Sequence, residues 1–305
     1  MAMRIALIGK TGQVARSLQA AAAGRRDFSV AVLGRPELDL ASPQTIAPAI
    51  RQAAPDLVIN AAAYNTVDRA ESEEALSLAV NGEGPGVVAE TAAALEVPVI
   101  HFSTDYVFDG RKGAPYSEAD VPNPLSAYGR SKLLGERRVA AANPRHLVLR
   151  TAWVFSPYGG NFVAAMLRLA RERHSLDVVA DQTGCPTYAP DIAGALLAIA
   201  PRLAAGAAPA LFGIYHLAGP DAVTRFEFAR RIFAASAAHG GPQPKIEPVT
   251  SDRFPAAAVR PAFTALDSAR IGAVFGVTMP PLDHALSRLM DSVTAEPVTS
   301  PPRST

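Results

Sequence analysis

The sequence sets a phenol and an ammonium at a spacing suited to joint chemistry. Tyr128 and Lys132 stand at i and i+4 in Tyr-Gly-Arg-Ser-Lys, at the head of a segment whose apolar positions Leu133, Leu134 and Val139 predict a helix. One turn apart, they share a side of that helix. A free tyrosine keeps its proton until about pH 10, so it needs a neighbouring cation to favour the phenolate, and Lys132 is expected to supply that charge. Upstream, Ser103-Thr104-Asp105-Tyr106 closes the apolar run 97–102, which predicts a buried parallel strand. That places Thr104 at the carboxyl edge, where open α/β sheets bind ligands. Its hydroxyl would bind the carbonyl oxygen that Tyr128 protonates, leaving the carbon free to accept a hydride. Tyr-x-x-x-Lys alone is a weak signal, since a half-buried aromatic beside a solvated lysine has the same spacing.

Hydride chemistry needs a dinucleotide, and the amino terminus supplies the elements to hold one. The apolar run 4–8 leads directly into Gly9-Lys10-Thr11-Gly12-Gln13-Val14-Ala15 and then a helical pattern. Gly9 and Gly12 let the backbone turn and approach a pyrophosphate, and the helix start behind them favours its charge. A second strand, 28–33, ends at Gly34-Arg35 without the carboxylate that usually holds the ribose of NAD, so NADPH is favoured, with NADH left open. Asp39 is placed to reach the adenine edge or to lead into the next helix. A third strand, 57–60, runs into Ala61, Ala62, Ala63, Tyr64 and Asn65, small residues first, which permit a flat ring to come close. Further strands at 146–150 and 213–217 complete an alternating pattern. The expected fold is α/β: a Rossmann-type doubly wound parallel sheet with a smaller C-terminal substrate-binding domain.

The expected boundaries put the dinucleotide-binding domain at 1–150, with returning segments near 175–218. The substrate-binding portion is expected at 151–174 and 219–291, and a disordered Pro/Ser/Thr tail at 292–305. Within the substrate portion, Trp153 offers a platform for a sugar or base with Asn161 close by, and could equally be a core anchor. The run 178–184 reads as a strand entering a polar turn, and 240–248 reads as a linker. Arg260, with Arg253 before it, suits a diphosphate.

The 305 residues carry a net charge of +1, with 49% apolar and 19% charged residues, which argues against nucleic acid as the main partner. No apolar run is long enough for a membrane span and no signal peptide opens the chain, which points to the cytoplasm. Cys185 is the only cysteine, and the six histidines show no paired metal spacing.

Taken together these runs resemble the extended short-chain dehydrogenase/reductase superfamily and, within it, the dTDP-4-dehydrorhamnose reductase family. The resemblance is carried by Gly9 to Val14, Leu38-Asp39-Leu40, Asn60 to Tyr64, Ser103 to Phe108, Tyr128 to Lys132, Arg150 to Val154 and Asp181-Gln182 with Pro186-Thr187. It implies reduction of the 4-keto group of dTDP-6-deoxy-L-lyxo-4-hexulose by NAD(P)H, giving dTDP-L-rhamnose. It makes Tyr128 the proton donor, Lys132 the nicotinamide-ribose ligand and Thr104 the assisting hydroxyl. Asp105, Tyr106 and Trp153 would touch the sugar. Lys10 to Gln13, Arg35, Asp39, Leu40, Ala63, Tyr64, Asn65 and Phe102 would surround the cofactor.

Two departures qualify the resemblance. Where relatives carry Arg-Pro-x-Asn-Ser, this chain has Arg260-Pro261-Ala262-Phe263-Thr264. The first helix also lacks the acidic residues through which some relatives form Mg²⁺-bridged dimers, so Mg²⁺ and a homodimer stay open. Two other readings compete with the reductase. A dehydratase or epimerase of the same superfamily would need an acid where Tyr106 stands, or one at the end of the second strand. A silent regulatory subunit, like the β subunit of methionine adenosyltransferase, would not need Thr104, Tyr128 and Lys132 intact.

Overall fold

The structure is a computed structural model and describes residues 2–203 and 206–295. Its centre is a six-stranded sheet, ordered in space Gly213–His216, His146–Thr151, Val99–Thr104, Leu57–Asn60, Met3–Ile8 and Phe28–Leu33. Every pairing in it is parallel. Strand residues alternate between two buried faces: Ile5, Leu7, Leu57, Ile59, Leu147 and Leu149 join one core, while Ala6, Ile8, Val58 and Val148 join the other. Covering both faces is why these strands read as unbroken apolar runs. The chain winds outward from the first strand in both directions, so the order reverses between Met3–Ile8 and Leu57–Asn60. That reversal opens a crevice beyond their carboxyl ends.

The helix Ala127–Ala142 carries Tyr128 and Lys132, and it starts where Ser126 Oγ accepts from the Gly129 amide at 3.1 Å. Two of its glycines let it close on its neighbours. A Cβ on Gly129 would stand 2.3 Å from the Tyr106 carbonyl oxygen, and one on Gly135 would stand 2.1 Å from the Asn81 carbonyl oxygen. Asn81 lies in a π-helical turn, Ala79–Glu83, that interrupts the helical run between Glu74–Leu78 and Gly84–Ala94. Gly135→Ala should therefore force the helices apart and cost ~1–3 kcal/mol, read as a melting temperature lower by several degrees. An unchanged melting curve would mean that the contact can give way freely.

The smaller portion is built on a second core around Phe155, Phe228, Ile232, Leu286 and Leu289. Three expectations are corrected here. The strand Ser175–Val179 does not return to the central sheet but pairs in parallel with Lys245–Val249. That partner strand lies in the stretch read as a linker: Gly240, Gly241, Pro242, Pro244 and Pro248 hide an alternation in which Ile246 packs on the core and Lys245 is exposed. The last helix, Leu282–Ala295, runs four residues into the stretch expected to be disordered, because Leu282, Leu286, Leu289, Met290 and Val293 keep one apolar face on this core. The rest of the expected tail, 296–305, lies outside the described residues. Among the described residues no helix is long and apolar enough to cross a membrane.

Candidate active site

Thr104, Tyr128 and Lys132 come together at the carboxyl end of the fourth strand. Thr104 ends that strand and pairs with Thr151 of the next. Its hydroxyl donates to Asp105 Oδ1 at 2.9 Å and accepts from the Tyr106 amide at 3.2 Å. It also stands close enough to the Tyr128 phenol to favour its ionised form. Lys132 is buried, and its Nζ donates to the Phe102 carbonyl at 2.5 Å. Burial pushes the Tyr128 phenol well above its ordinary range, and the Thr104 hydroxyl only partly offsets this while the Asp105 charge adds to it. The expectation that Lys132 lowers this phenol is thus corrected: desolvation dominates. Burial also brings Lys132 down to about 8, against the opposing pull of Glu136.

The crevice has the features of a dinucleotide cradle. Gly9 has φ +120°, and a Cβ there would stand 3.3 Å from the Ala62 amide nitrogen, so the first turn and the Ala61-Ala62 backbone meet closely. The helix Gln13–Ala22 behind it begins at Gly12 with no side-chain cap, which leaves first-turn amides facing the crevice, suited to a pyrophosphate. Thr11 is exposed on the turn, and Val14 is half-buried against the core. Lys10 lies across Gly34 and bonds to the Arg35 carbonyl at 2.9 Å and to Glu37 at 2.5 Å, while Arg35 is exposed. Ala63 is half-buried and Asn65 exposed. Tyr64 exchanges two backbone bonds with the Asn81 amide, at 2.8 and 3.0 Å.

Some predicted cofactor residues do structural work. Leu40 is buried in the core against Gly84. The Asp39 carboxylate accepts from the Ala41 amide at 3.0 Å, which caps its own turn. Phe102 is buried as well, and it reaches the site only through its carbonyl. Gln13 Oε1 accepts from Ser156 and Asn161, tying the helix start to the segment after the fifth strand.

Beyond Thr104 the polar groups converge on Asp105, which is buried and accepts from Thr264 at 2.6 Å as well as from Thr104. Burial raises its carboxyl to about 6, with the two hydroxyls and Arg225 pulling it back. Tyr106 stands edge-on to Tyr128, ring centroids 5.8 Å apart, and its phenol faces both Arg225 and Arg260 closely enough to favour their charged forms. The Arg225 guanidinium lies 4.1 Å over the Trp153 ring and donates to Gln182 Oε1 at 3.3 Å. Trp153 itself has φ 44°, and its indole occupies the space that a side chain at Gly184 would fill. Arg260 forks onto Asp68, at 2.7 and 3.3 Å.

A cavity of about 990 Å³ opens beside these two arginines, walled by Phe162, Met166, Val179 and Phe254. Tyr128 and Thr104 do not line it, and Tyr106 bridges the two regions. Asn161 caps the helix Phe162–Glu172, and its amide is spent on Gln13 and the Ser156 carbonyl, so its polar atoms are already engaged within the fold. Sequence reasoning missed Arg225, Thr264, Asn81 and Glu136. Among the described residues no group of three or more His, Cys, Asp or Glu is arranged to hold a metal.

An open parallel sheet with a glycine turn at its reversal, and a Thr, Tyr and Lys set at its carboxyl edge, defines a short-chain dehydrogenase/reductase of the extended class. The family model described as RmlD substrate binding domain matches residues 3–295. A dTDP-4-dehydrorhamnose reductase of Sinorhizobium fredii is 47% identical over 288 residues, covering 94% of this chain and 97% of that protein. The crystal structure of one from Clostridium acetobutylicum superposes with TM-score 0.89 at 31% identity, covering 96% of this chain and all of that one. Another from Bacillus anthracis, solved in complex with NADP, gives TM-score 0.89 at 30% identity over the same share of this chain. The chain belongs to the dTDP-4-dehydrorhamnose reductase family.

Proposed function

We propose that the protein reduces the 4-keto group of dTDP-4-dehydro-L-rhamnose with NADPH to give dTDP-L-rhamnose, a precursor for polysaccharide. The observation that carries this reading is the placement of Thr104, Tyr128 and Lys132 together at the carboxyl end of the fourth strand, beside the glycine crevice, in a chain of this family. Reduced nicotinamide, when bound, supplies the hydride. Tyr128 supplies the proton: burial keeps its phenol protonated through the neutral range, which is the form a reduction consumes. Thr104 shares the developing oxyanion, and its bond to Asp105 fixes its rotamer. Lys132, held by the Phe102 carbonyl, presents an ammonium to the ribose hydroxyls. Tyr106, Arg225 and Arg260 form the diphosphate side, and the apolar cavity with Phe254 takes the base.

We assign the 2′-phosphate of NADPH to Arg35, with Lys10 beside it. Arg35→Ala should weaken NADPH at least tenfold more than NADH, the range typical of losing a charge-assisted bond to phosphate (~1.5–3 kcal/mol). Equal losses for both cofactors would remove Arg35 from that role. We place the reaction in the cytoplasm. The deciding experiment follows NADPH absorbance with freshly made dTDP-4-dehydro-L-rhamnose, with NADH in parallel. No oxidation of either cofactor would reject the reading.

A further inference from the structure

Glu136 stands one helical turn beyond Lys132 and is almost fully buried, at 2% exposure. Its carboxylate takes three hydrogen bonds: from Ser103 Oγ at 2.5 Å, Arg150 Nε at 2.8 Å and Arg150 Nη2 at 2.6 Å. Those partners sit on adjacent strands, where Ser103 and Arg150 are register neighbours. Ser103 itself lies between Phe102, whose carbonyl holds Lys132, and Thr104, which stands beside Tyr128. One carboxylate thus fastens the helix bearing Tyr128 and Lys132 to the strand bearing Thr104, at the residue between their contact points.

A buried ion pair is a poor source of stability compared with well-packed apolar side chains, so its presence calls for another reason. Arg150 Nη1 has no hydrogen-bond partner, so the pair is not optimised as a structural bridge. The charges around Lys132 supply the reason. From the fourth strand it faces His101, which burial and Lys132 itself keep neutral. On its own helix it has Tyr128 and Glu136. Arg150 approaches from the fifth strand behind the carboxylate. Ser77 and Asn81, from the helical run packed alongside, bond to Ser131, Asn81 also to the Tyr64 backbone, and both are uncharged. Glu136 is the one anion among these groups.

We propose that Glu136 is a positioning residue of the reaction: it sets the Tyr128 and Lys132 helix against Thr104 through Ser103, and it is the counter-charge that keeps Lys132 an ammonium in a buried place. This rests on the roles proposed above for Tyr128, Lys132 and Thr104. Loss of the negative charge, with Arg150 left unneutralised, makes the ammonium harder to hold, so Lys132 deprotonates at lower pH.

The test is the pH dependence of kcat for wild type, Glu136→Gln, Glu136→Asp and Lys132→Arg, with melting curves and KM for NADPH. Glu136→Gln should lower kcat about tenfold and move the alkaline limb down by roughly two to three pH units, the scale for a unit charge ~4–6 Å away at an effective dielectric near 20. Glu136→Asp should restore the limb. A Glu136→Gln enzyme with wild-type kcat and limb overturns the proposal if Lys132→Arg still moves the limb. If neither variant moves it, the assignment of Lys132 falls, and the proposal with it. Should Glu136→Gln fail to fold, Ser103→Ala decides: it keeps both charges and cuts only the tie to the strand, so kcat should drop several-fold with the limb and the KM for NADPH unchanged. Wild-type turnover in Ser103→Ala would overturn the positioning role.

Discussion

Tyr128→Phe is expected to lower kcat by ~10² to 10⁴, the range for removing a positioned general acid, while the fold stays intact. The ring loses one oxygen, and its edge-on packing against Tyr106 remains available. Thr104 keeps its bond to Asp105, so the oxyanion side of the site is not dismantled. What goes is the phenol that donates the proton, which burial keeps protonated through the neutral range. The wild-type alkaline limb should therefore report not the tyrosine but Lys132, which burial lowers to about 8. Single-turnover oxidation of NADPH by the variant, beside a melting curve, checks this. Turnover within threefold of wild type would remove Tyr128 from the proton-donor role.

The sheet was legible because its inner strands bury both faces, which makes Ile5 to Ile8 and Leu57 to Ile59 unbroken apolar runs. The glycine turn was legible because Gly9 needs a backbone conformation that other residues rarely adopt. The full reach of the fourth strand was not, because Ser103 and Thr104 are polar and stay in the ladder only through partners on other elements, Glu136 and Asp105. Arg225 opens a helix as Arg-Phe-Glu, which reads as a solvated end; only the folded chain lays it over Trp153. The run Arg260 to Thr264 departs from the family in sequence, and the structure gives the departure a physical reading. Phe263 packs with the small core that includes Trp153, while the Thr264 hydroxyl reaches Asp105. The sign of the Tyr128 shift was read wrongly because spacing reveals a neighbour's charge but not the depth of burial that outweighs it.

Arg225→Met is expected to raise KM for the sugar nucleotide by roughly 30-fold to several-thousand-fold, corresponding to the 2–5 kcal/mol typical when one partner of a desolvated charge contact is removed. Arg225 and Arg260 face the same cavity and oppose each other electrostatically. Arg260 has its charge matched by Asp68. Arg225 has no carboxylate partner within bonding distance among the described residues; its contacts are Tyr106, Gln182 and the Trp153 face. Burial works against its charge, so the fold holds a cation at a cost that an arriving diphosphate would offset. Methionine keeps most of the packing on Trp153 while removing the charge and the bond to Gln182, both away from the glycine crevice, so KM for NADPH should stay unchanged.

The same substitution has a second consequence through Asp105. Arg225 helps to hold that carboxyl down at about 6, so without it the carboxyl rises further. A raised carboxyl favours folding most at pH values below its unfolded pKa of ~4, and that contribution fades as pH rises through the folded value. In the variant the fading should therefore extend to higher pH than in wild type, visible as a stability curve that keeps falling above pH ~6. Sugar-nucleotide KM within twofold of wild type, together with an unmoved stability curve, would mean that Arg225 neither receives the diphosphate nor acts on Asp105.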